Sequence, residues 1–421
     1  MEKLNKYSTY NRKKDPQGSS SVIAKPRAAE SLADNKRNND NERCPYSRQC
    51  GGCDMQGSRY KRQLSRKQKR VAELTAGFGE VLPIVGMDDP KHYRNKVHHA
   101  FKRDRSGNIM SGPYERGSHW VINVDDCMLE DEDCQKVIHT IRRLVKTCRI
   151  RIYNEDTGEG VLRHVLMRKA FATGELMAVI VSGSAHVQDL RAFTAQLVRQ
   201  HPCIRTVVLN INPGRTGMIL GNTKEKILFG PGYINDTLCG KRFRISAKSF
   251  YQVNPVQTEK LYNIALSYAD LSKNDTVIDA YCGIGTIGIC AADKAGSVIG
   301  VELNPDAVND AQINAAENHV ENISFYNDDA GSFMSRMAKE GKKADVVFMD
   351  PPRAGSTVEF MSSAVRLSPS RIVYISCEPE TLARDIGYLT KHGYEVKKIR
   401  PVDMFPYTNH VETVVLMSRT K

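Results

Sequence analysis

From about residue 251 onward the chain repeats one unit: an apolar, β-prone run, a short turn, then a segment with helical spacing. "DTVIDAYCGIGTIGICAADKA", "SVIGVELNPDAVNDAQINAAENH", "ADVVFMDPPRAG" and "RIVYISCEPETLARDIGYLTKHG" all follow this order. Tandem strand–helix units bury their apolar faces when the strands lie parallel in one sheet with helices on both sides. The end breaks the rhythm. "YEVKKIRPVDMF" and "VETVVLMS" leave no room for a helix between them, which predicts an antiparallel strand pair closing the sheet.

At 421 residues the chain exceeds one ordinary core. Strands such as "ELMAVIVSG" and "TVVLNINP" flank a helical "VQDLRAFTAQLVRQH" in the stretch before residue 250. Three parts are expected: a tail over 1–42, a central α/β domain over 43–250, and a Rossmann-like α/β domain over 251–421. The tail is rich in Asn, Ser, Lys and Arg with hardly any aromatic or β-branched residues. It cannot offset its ordering entropy and is expected to be disordered.

The formal net charge of +13 is concentrated: residues 1–70 hold 18 Lys/Arg against 7 Asp/Glu, and the rest is nearly neutral. A basic region of this kind suits an acidic polymer, nucleic acid before membrane, although a solvated tail reads the same way. "RYKRQLSRKQKRVAEL" (59–74) has Tyr60, Leu64, Val71 and Leu74 at helical spacing, with seven Lys/Arg and no acid over 59–70. That is an amphipathic helix whose basic face either meets phosphates or is simply solvated. "HYRNKVHHAFKR" (92–103) divides equally between contacts to unstacked bases and an amphipathic strand with a basic outer face. No stretch approaches the ~20 apolar residues of a membrane span, and Met1–Tyr10 lacks the apolar core of a secretory signal. A cytoplasmic monomer without membrane contact is expected. Eleven cysteines, an odd number, then read as thiols, metal ligands or a nucleophile.

"DAYCGIGTIG" (279–288) follows a strand and opens a helix, so Gly283 and Gly285 would allow a tight turn against a ligand. Glu302 ends the next strand, where a carboxylate can accept both hydroxyls of a ribose. The string also satisfies G-x-G-x-x-G, which keeps an NAD site in view. Asp279 at the first strand's end and "DPPR" (350–353) favour S-adenosylmethionine instead. Asp279, Glu302, Asp329, Asp350 and Cys377 all fall at carboxyl ends of strands, where open α/β sheets bind ligands. A helix start directly behind Cys377 predicts a lowered thiol pKa. "CPYSRQCGGC" places Cys44, Cys50 and Cys53 in a C-x5-C-x2-C spacing suited to zinc or to an iron–sulfur cluster.

In order, "SFYQVN" (249–254), "DAYCGIG", "VELN", "DPPRAG", "YISCEPETLARD" (374–385) and "DMFPYTNHVE" (403–412) resemble the motifs of the RNA 5-methyluridine methyltransferases of the RlmD and TrmA type. The resemblance implies S-adenosylmethionine as cofactor, contacted by Gln252, Tyr281, Thr286, Glu302 and Asp329 beside Gly283 and Gly285. It implies Cys377 as the nucleophile, Glu412 as the base, and Asp350 orienting uracil or cofactor. Uracil C5 is a poor nucleophile, and thiolate addition at C6 makes it electron-rich, which is why such a reaction needs a cysteine. His410 is expected to pack or contact RNA rather than act as a base. The resemblance further implies that Cys44, Cys50, Cys53 and Cys127 bind a [4Fe–4S] cluster, with zinc less favoured and Cys134 as the fallback ligand. Four such ligands leave no iron open, so a structural or RNA-positioning role is expected of the cluster.

One feature departs from the pattern. Typical RlmD proteins begin with a small β-barrel RNA-binding domain, and residues 1–42 are too short and polar to form one; the basic tail and helix are expected to take over part of its role. The reading is an enzyme making 5-methyluridine, with 23S rRNA favoured over tRNA as partner. A non-catalytic RNA-binding assembly factor, an amino-group methyltransferase and an NAD-linked redox enzyme are the rivals. The first needs no cysteine–glutamate pair. The second usually has an aromatic residue where Arg353 stands.

Overall fold

The computed structural model describes residues 44–214, 218–223 and 225–420, so the tail expected over 1–42 lies outside it. The described chain opens with α1 (Tyr60–Leu74) and a six-stranded sheet. That sheet holds β1 (Lys96–Arg103), β2 (Ile109–Gly112), β3 (Leu162–Lys169), β4 (Leu176–Ser182), β5 (Ile204–Ile211) and β6 (Lys226–Phe229), in the order β2-β1-β3-β4-β5-β6. Helices α2 (Glu132–Thr147) and α3 (Leu190–Gln200) pack on one face. The apolar run of β4 follows from its burial on both sides. Leu176, Ala178 and Ile180 join the core of α2 and α3, while Met177, Val179 and Val181 join a second core shared with the carboxyl-terminal sheet's helices.

A hairpin of β7 (Tyr233–Leu238) and β8 (Lys241–Ser246) leads into α4 (Pro255–Ala269), whose start is fixed by Pro255 and by Asn254 Oδ1 accepting the N–H of Gln257. The strand–helix repeats follow as expected: β9 (Thr276–Ala280), α5 (Thr286–Ala292), β10 (Ser297–Glu302), α6 (Pro305–Glu317), β11 (Ile323–Asn327), α7 (Ala330–Lys339), β12 (Val346–Met349), α8 (Val358–Leu367), β13 (Arg371–Ser376) and α9 (Pro379–Lys391). β14 (Tyr394–Val402) and β15 (Glu412–Arg419) complete a sheet of order β11-β10-β9-β12-β13-β15-β14. β9 to β13 are parallel, and β15 inserts antiparallel between β13 and β14. The strand order reverses at β9, with β10 on one side and β12 on the other. A crevice for ligands is therefore positioned at their carboxyl ends.

One expectation about the basic segments changes. Helix α1 forms, but its inner face holds Gln63 and Lys67 as well as Val71, all buried. Lys61, Arg62, Arg66 and Lys69 remain exposed, so only part of the basic face meets solvent. β1 lies between β2 and β3 as an amphipathic strand, with Lys96, His98 and Lys102 part-exposed on one face, and burial lowers the pKa of Lys96 to about 8.

Candidate active site

The glycine turn after β9 is built by backbone requirements. Tyr281, Gly283 and Gly285 all have positive φ, at 65°, 55° and 83°. A side chain on Gly285 would meet the Phe325 ring at 2.9 Å, whereas Gly283 faces open space. Asp279 Oδ2 accepts the N–H of Gly288 at 2.7 Å, stapling the strand to α5. Its Oδ1 is buried without a partner. Burial, with Asp350 and Glu302 nearby, raises the Asp279 carboxyl to about 7. Glu302 Oε2 accepts the N–H of Gly283 at 3.0 Å, and Oε1 that of Asn304 at 2.8 Å. That carboxylate is oriented before any ligand arrives.

A cavity of about 460 Å³ lies over this turn. It brings together Gln252, Tyr281, Gly283, Thr286, Glu302, Asp350, Cys377 and Glu412. Gly285 and Asp329 do not line it; Asp329 caps α7, its Oδ1 accepting the N–H of Ser332 at 2.9 Å. The sequence reading did not assign a role to Phe250, Tyr262 or Phe405, which also line the cavity. Phe250 is 67% exposed there, and Tyr262 is buried with its hydroxyl 3.1 Å from Thr286 Oγ1. For Phe250 the available signal was its place inside the SFYQVN motif. Tyr262 looked like ordinary helix core. Arg353 and His410 face each other at 3.4 Å at the same cavity.

Glu412 is the first residue of β15 and is buried. Burial, and then Asp350, push its carboxyl well above the usual carboxylate range. Burial raises Asp350 to about 7. Cys377 is half-buried just after β13. Its pKa is raised to about 12, by burial first, then by Glu412 and Asp350, with Arg353 opposing. The expectation of a lowered thiol pKa is thus overturned. Helix α9 begins only at Pro379, and burial, with Glu412 and Asp350 nearby, outweighs its N–H groups.

The residues present fit S-adenosylmethionine. Glu302 retains acceptor capacity for ribose hydroxyls, Gly283 leaves space for close approach, and three acidic side chains (Glu302, Asp350 and Glu412) line a site for a cationic ligand, with Asp279 buried behind the turn.

A second cavity, of about 390 Å³, is lined by Cys44, Cys50, Cys53 and Cys127, with Arg94, Lys96 and His98. Cys134 instead lies in the core of α2 with Val137 and Ile138. Burial raises the Cys53 thiol to about 11 and Cys127 to about 12. The expectation of a cluster-bearing domain is not reproduced as a metal site: among the described residues no three His, Cys, Asp or Glu side chains converge closely enough to hold one metal ion. The four thiols share a cavity wall rather than a single point. Also among the described residues, no helix is long and apolar enough to cross a membrane.

Comparison with known proteins agrees with this geometry. Residues 59–420 match the profile of the family described as tRNA (Uracil-5-)-methyltransferase. An uncharacterised RNA methyltransferase of Bacillus cereus is 41% identical over 383 residues, covering 90% of this chain and 83% of its own. Another, from Oceanobacillus iheyensis, is 42% identical over 371 residues, covering 87% and 80%. The crystal structure of Pyrococcus abyssi tRNA (uracil-54, C5)-methyltransferase with S-adenosyl-L-homocysteine superposes with a TM-score of 0.74 at 26% identity, covering 87% of this chain and 86% of that one. The chain belongs to the tRNA (uracil-5-)-methyltransferase family, S-adenosylmethionine-dependent enzymes that methylate uracil at C5 in RNA.

Proposed function

We propose that the protein makes 5-methyluridine in 23S rRNA through a covalent adduct between Cys377 and uracil C6. The observation that carries this reading is the single cavity shared by Cys377, Glu412, Asp350 and the glycine turn. The Cys377 sulfur forms a bond to C6, and the C5=C6 electron pair moves onto the C4 carbonyl as an enolate. Bound S-adenosylmethionine supplies the electrophilic methyl carbon that C5 attacks. Glu412 then takes the C5 proton, the S–C6 bond breaks, and the ring double bond re-forms. Because Cys377 rests as a thiol, its proton must pass to Asp350 or solvent before attack, leaving Glu412 unprotonated for the C5 proton. Asp350, between the glycine turn and Glu412, holds uracil or cofactor in register. The target base must leave its stack to expose both carbons, at a cost of a few kcal/mol, on the order of one base flip.

The 23S assignment rests on the amino-terminal cysteines, which the tRNA-modifying branch usually lacks. Their C-x5-C-x2-C spacing and the cavity they share with Cys127 support a [4Fe–4S] site, ahead of zinc, whose thiols must lose their protons on binding. The tRNA reading is favoured by one observation, the likeness to a tRNA enzyme from Pyrococcus abyssi. Labelled methyl transfer to total RNA from cells lacking the protein, with 23S and tRNA separated and nucleosides identified by mass spectrometry, tests both. Label in 23S 5-methyluridine is expected; label in tRNA overturns the substrate, and no labelled 5-methyluridine overturns the reaction.

A further inference from the structure

The loops bearing Cys377 and Glu412 are joined by a side chain that lies outside the cavity. Arg70, on the inner edge of α1, donates from Nη2 to Glu378 Oε1 at 2.7 Å and to Glu380 Oε2 at 2.6 Å. Its Nε donates to Glu380 Oε1 at 3.2 Å, and its Nη1 to the backbone oxygen of Asn409 at 3.2 Å. Glu378 directly follows Cys377, and Asn409 lies on the loop that ends at Glu412. One guanidinium therefore spans the nucleophile loop and the base loop.

The rest of the base loop is held from the same amino-terminal segment. The N–H groups of Asp54 and Met55 donate to the Tyr407 oxygen at 3.0 and 2.9 Å, and Gln63 Oε1 accepts the N–H of Tyr407 at 2.9 Å. Lys67 Nζ donates to the Phe405 oxygen at 3.0 Å. These contacts fix the base loop to α1 and to the segment before it, and Arg70 alone among them also reaches the Cys377 side. A rigid planar fork does this with defined spacing, which a flexible ammonium does not.

We propose that Arg70 is a positioning residue for methyl transfer, holding together the segments that run beyond the β13–β15 ladder, whose last pair, Ser376 and Thr413, adjoins Cys377 and Glu412. The inference rests on the adduct mechanism above. Nucleophile and base act on adjacent ring atoms, C6 and C5, so a small change in loop spacing misplaces one of them. Arg70 touches neither uracil nor cofactor; it acts through the loops.

The test compares Arg70→Ala and Arg70→Lys with the wild-type protein in single-turnover methyl transfer, alongside S-adenosylmethionine affinity and thermal unfolding. Arg70→Ala is expected to lower the transfer rate about 100-fold, the scale of a misplacement near 1 Å, with cofactor affinity and unfolding temperature unchanged. Added ethylguanidinium, at concentrations too low to denature, should restore part of the Arg70→Ala rate. Arg70→Lys keeps the charge and should still be slow. A wild-type rate in Arg70→Ala or Arg70→Lys, or a loss that only parallels unfolding or lost cofactor affinity, overturns the proposal. Cys377→Ala in the same assay separates the two questions: methyl transfer by that variant defeats the adduct mechanism whatever Arg70 does. An inactive Cys377→Ala beside a normal Arg70→Ala defeats only the role of Arg70.

Discussion

Lys67, on a helix whose sequence reads as a basic surface, is fully buried and donates to Asp403 Oδ1 at 2.5 Å. Asp403 stands at the start of the segment that ends at Glu412, so this ion pair moors the base loop to α1. Burial lowers the lysine's pKa and the aspartate raises it, the first effect being the larger. Such a pair is costly to break because one charge is left dry and unpaired. Lys67→Met should destabilise the protein by about 3–5 kcal/mol in urea unfolding, and adding Asp403→Leu should recover much of that loss. Full stability in Lys67→Met would contradict the buried pairing.

Glu302 is held by two backbone N–H groups with acceptor capacity to spare. Glu302→Ala should weaken S-adenosylmethionine binding by about 1.5–3 kcal/mol, the scale of hydrogen bonds to a charged group. Calorimetric titration checks it, and an unchanged affinity would remove Glu302 from the ribose site.

Burial disfavours charge on three carboxyls, raising Asp279 and Asp350 to about 7 and pushing Glu412 well above the usual carboxylate range. They therefore hold protons in the ligand-free protein near neutrality. A bound sulfonium favours the carboxylates, so binding should release protons, and affinity should rise with pH up to about 7 before levelling. S-adenosylhomocysteine, without the sulfonium charge, should show a weaker slope. Titrations in buffers of different ionisation enthalpy count the protons; equal, pH-independent binding of both ligands would oppose this electrostatic account.

The same shifts carry a stability consequence. A carboxyl whose folded pKa is raised stabilises the fold below its unfolded value near 4 and loses that contribution as pH rises through its folded value. The ligand-free protein should thus lose stability between about pH 4 and 7 from Asp279 and Asp350, other groups being equal. Asp279→Asn, which keeps an acceptor for Gly288, should flatten the profile. An identical pH profile in that variant would show that Asp279 does not hold its proton.

Cys127 and Cys134 are close in sequence and separate in space: one faces the cavity with Cys44, Cys50 and Cys53, the other sits in the α2 core. Iron and sulfide measured on anaerobically purified protein should be lost in Cys127→Ser and retained in Cys134→Ser. The reverse pattern would make Cys134 the fourth ligand, and no iron in any form would end the cluster assignment.

The repeated strand–helix units were legible because apolar runs and turn residues are local signals. The glycine turn was legible for the same reason, since positive φ leaves a mark in composition. Lys67 and Arg70 were not. Their partners lie more than 300 positions away, at separations of 336 for Asp403 and 308 for Glu378, and a basic run gives no hint of which lysine turns inward. The Cys377 error has the same origin. A helix start beside the thiol is visible in sequence, whereas the burial that chiefly raises its pKa, and then Glu412 and Asp350, which arrive from β15 and from the end of β12, are not. Asp329 caps α7 two residues past the end of β11 and stands near enough to Tyr281, at the cavity, to raise its pKa; the capping contact is not visible in a strand-end pattern.

Glu412→Gln should still allow addition and methyl transfer but fail to remove the C5 proton, so a protein–RNA adduct should accumulate on a denaturing gel. Normal turnover without an adduct would exclude Glu412 as the base.

The adduct itself is the central claim. RNA carrying 5-fluorouridine at the target offers no C5 proton to remove, so the enzyme should stall after methyl transfer. With S-adenosylmethionine present, peptide mapping should find the RNA joined to Cys377 through C6. Efficient methylation of unsubstituted RNA, with no covalent complex on the fluorinated RNA, would contradict the mechanism.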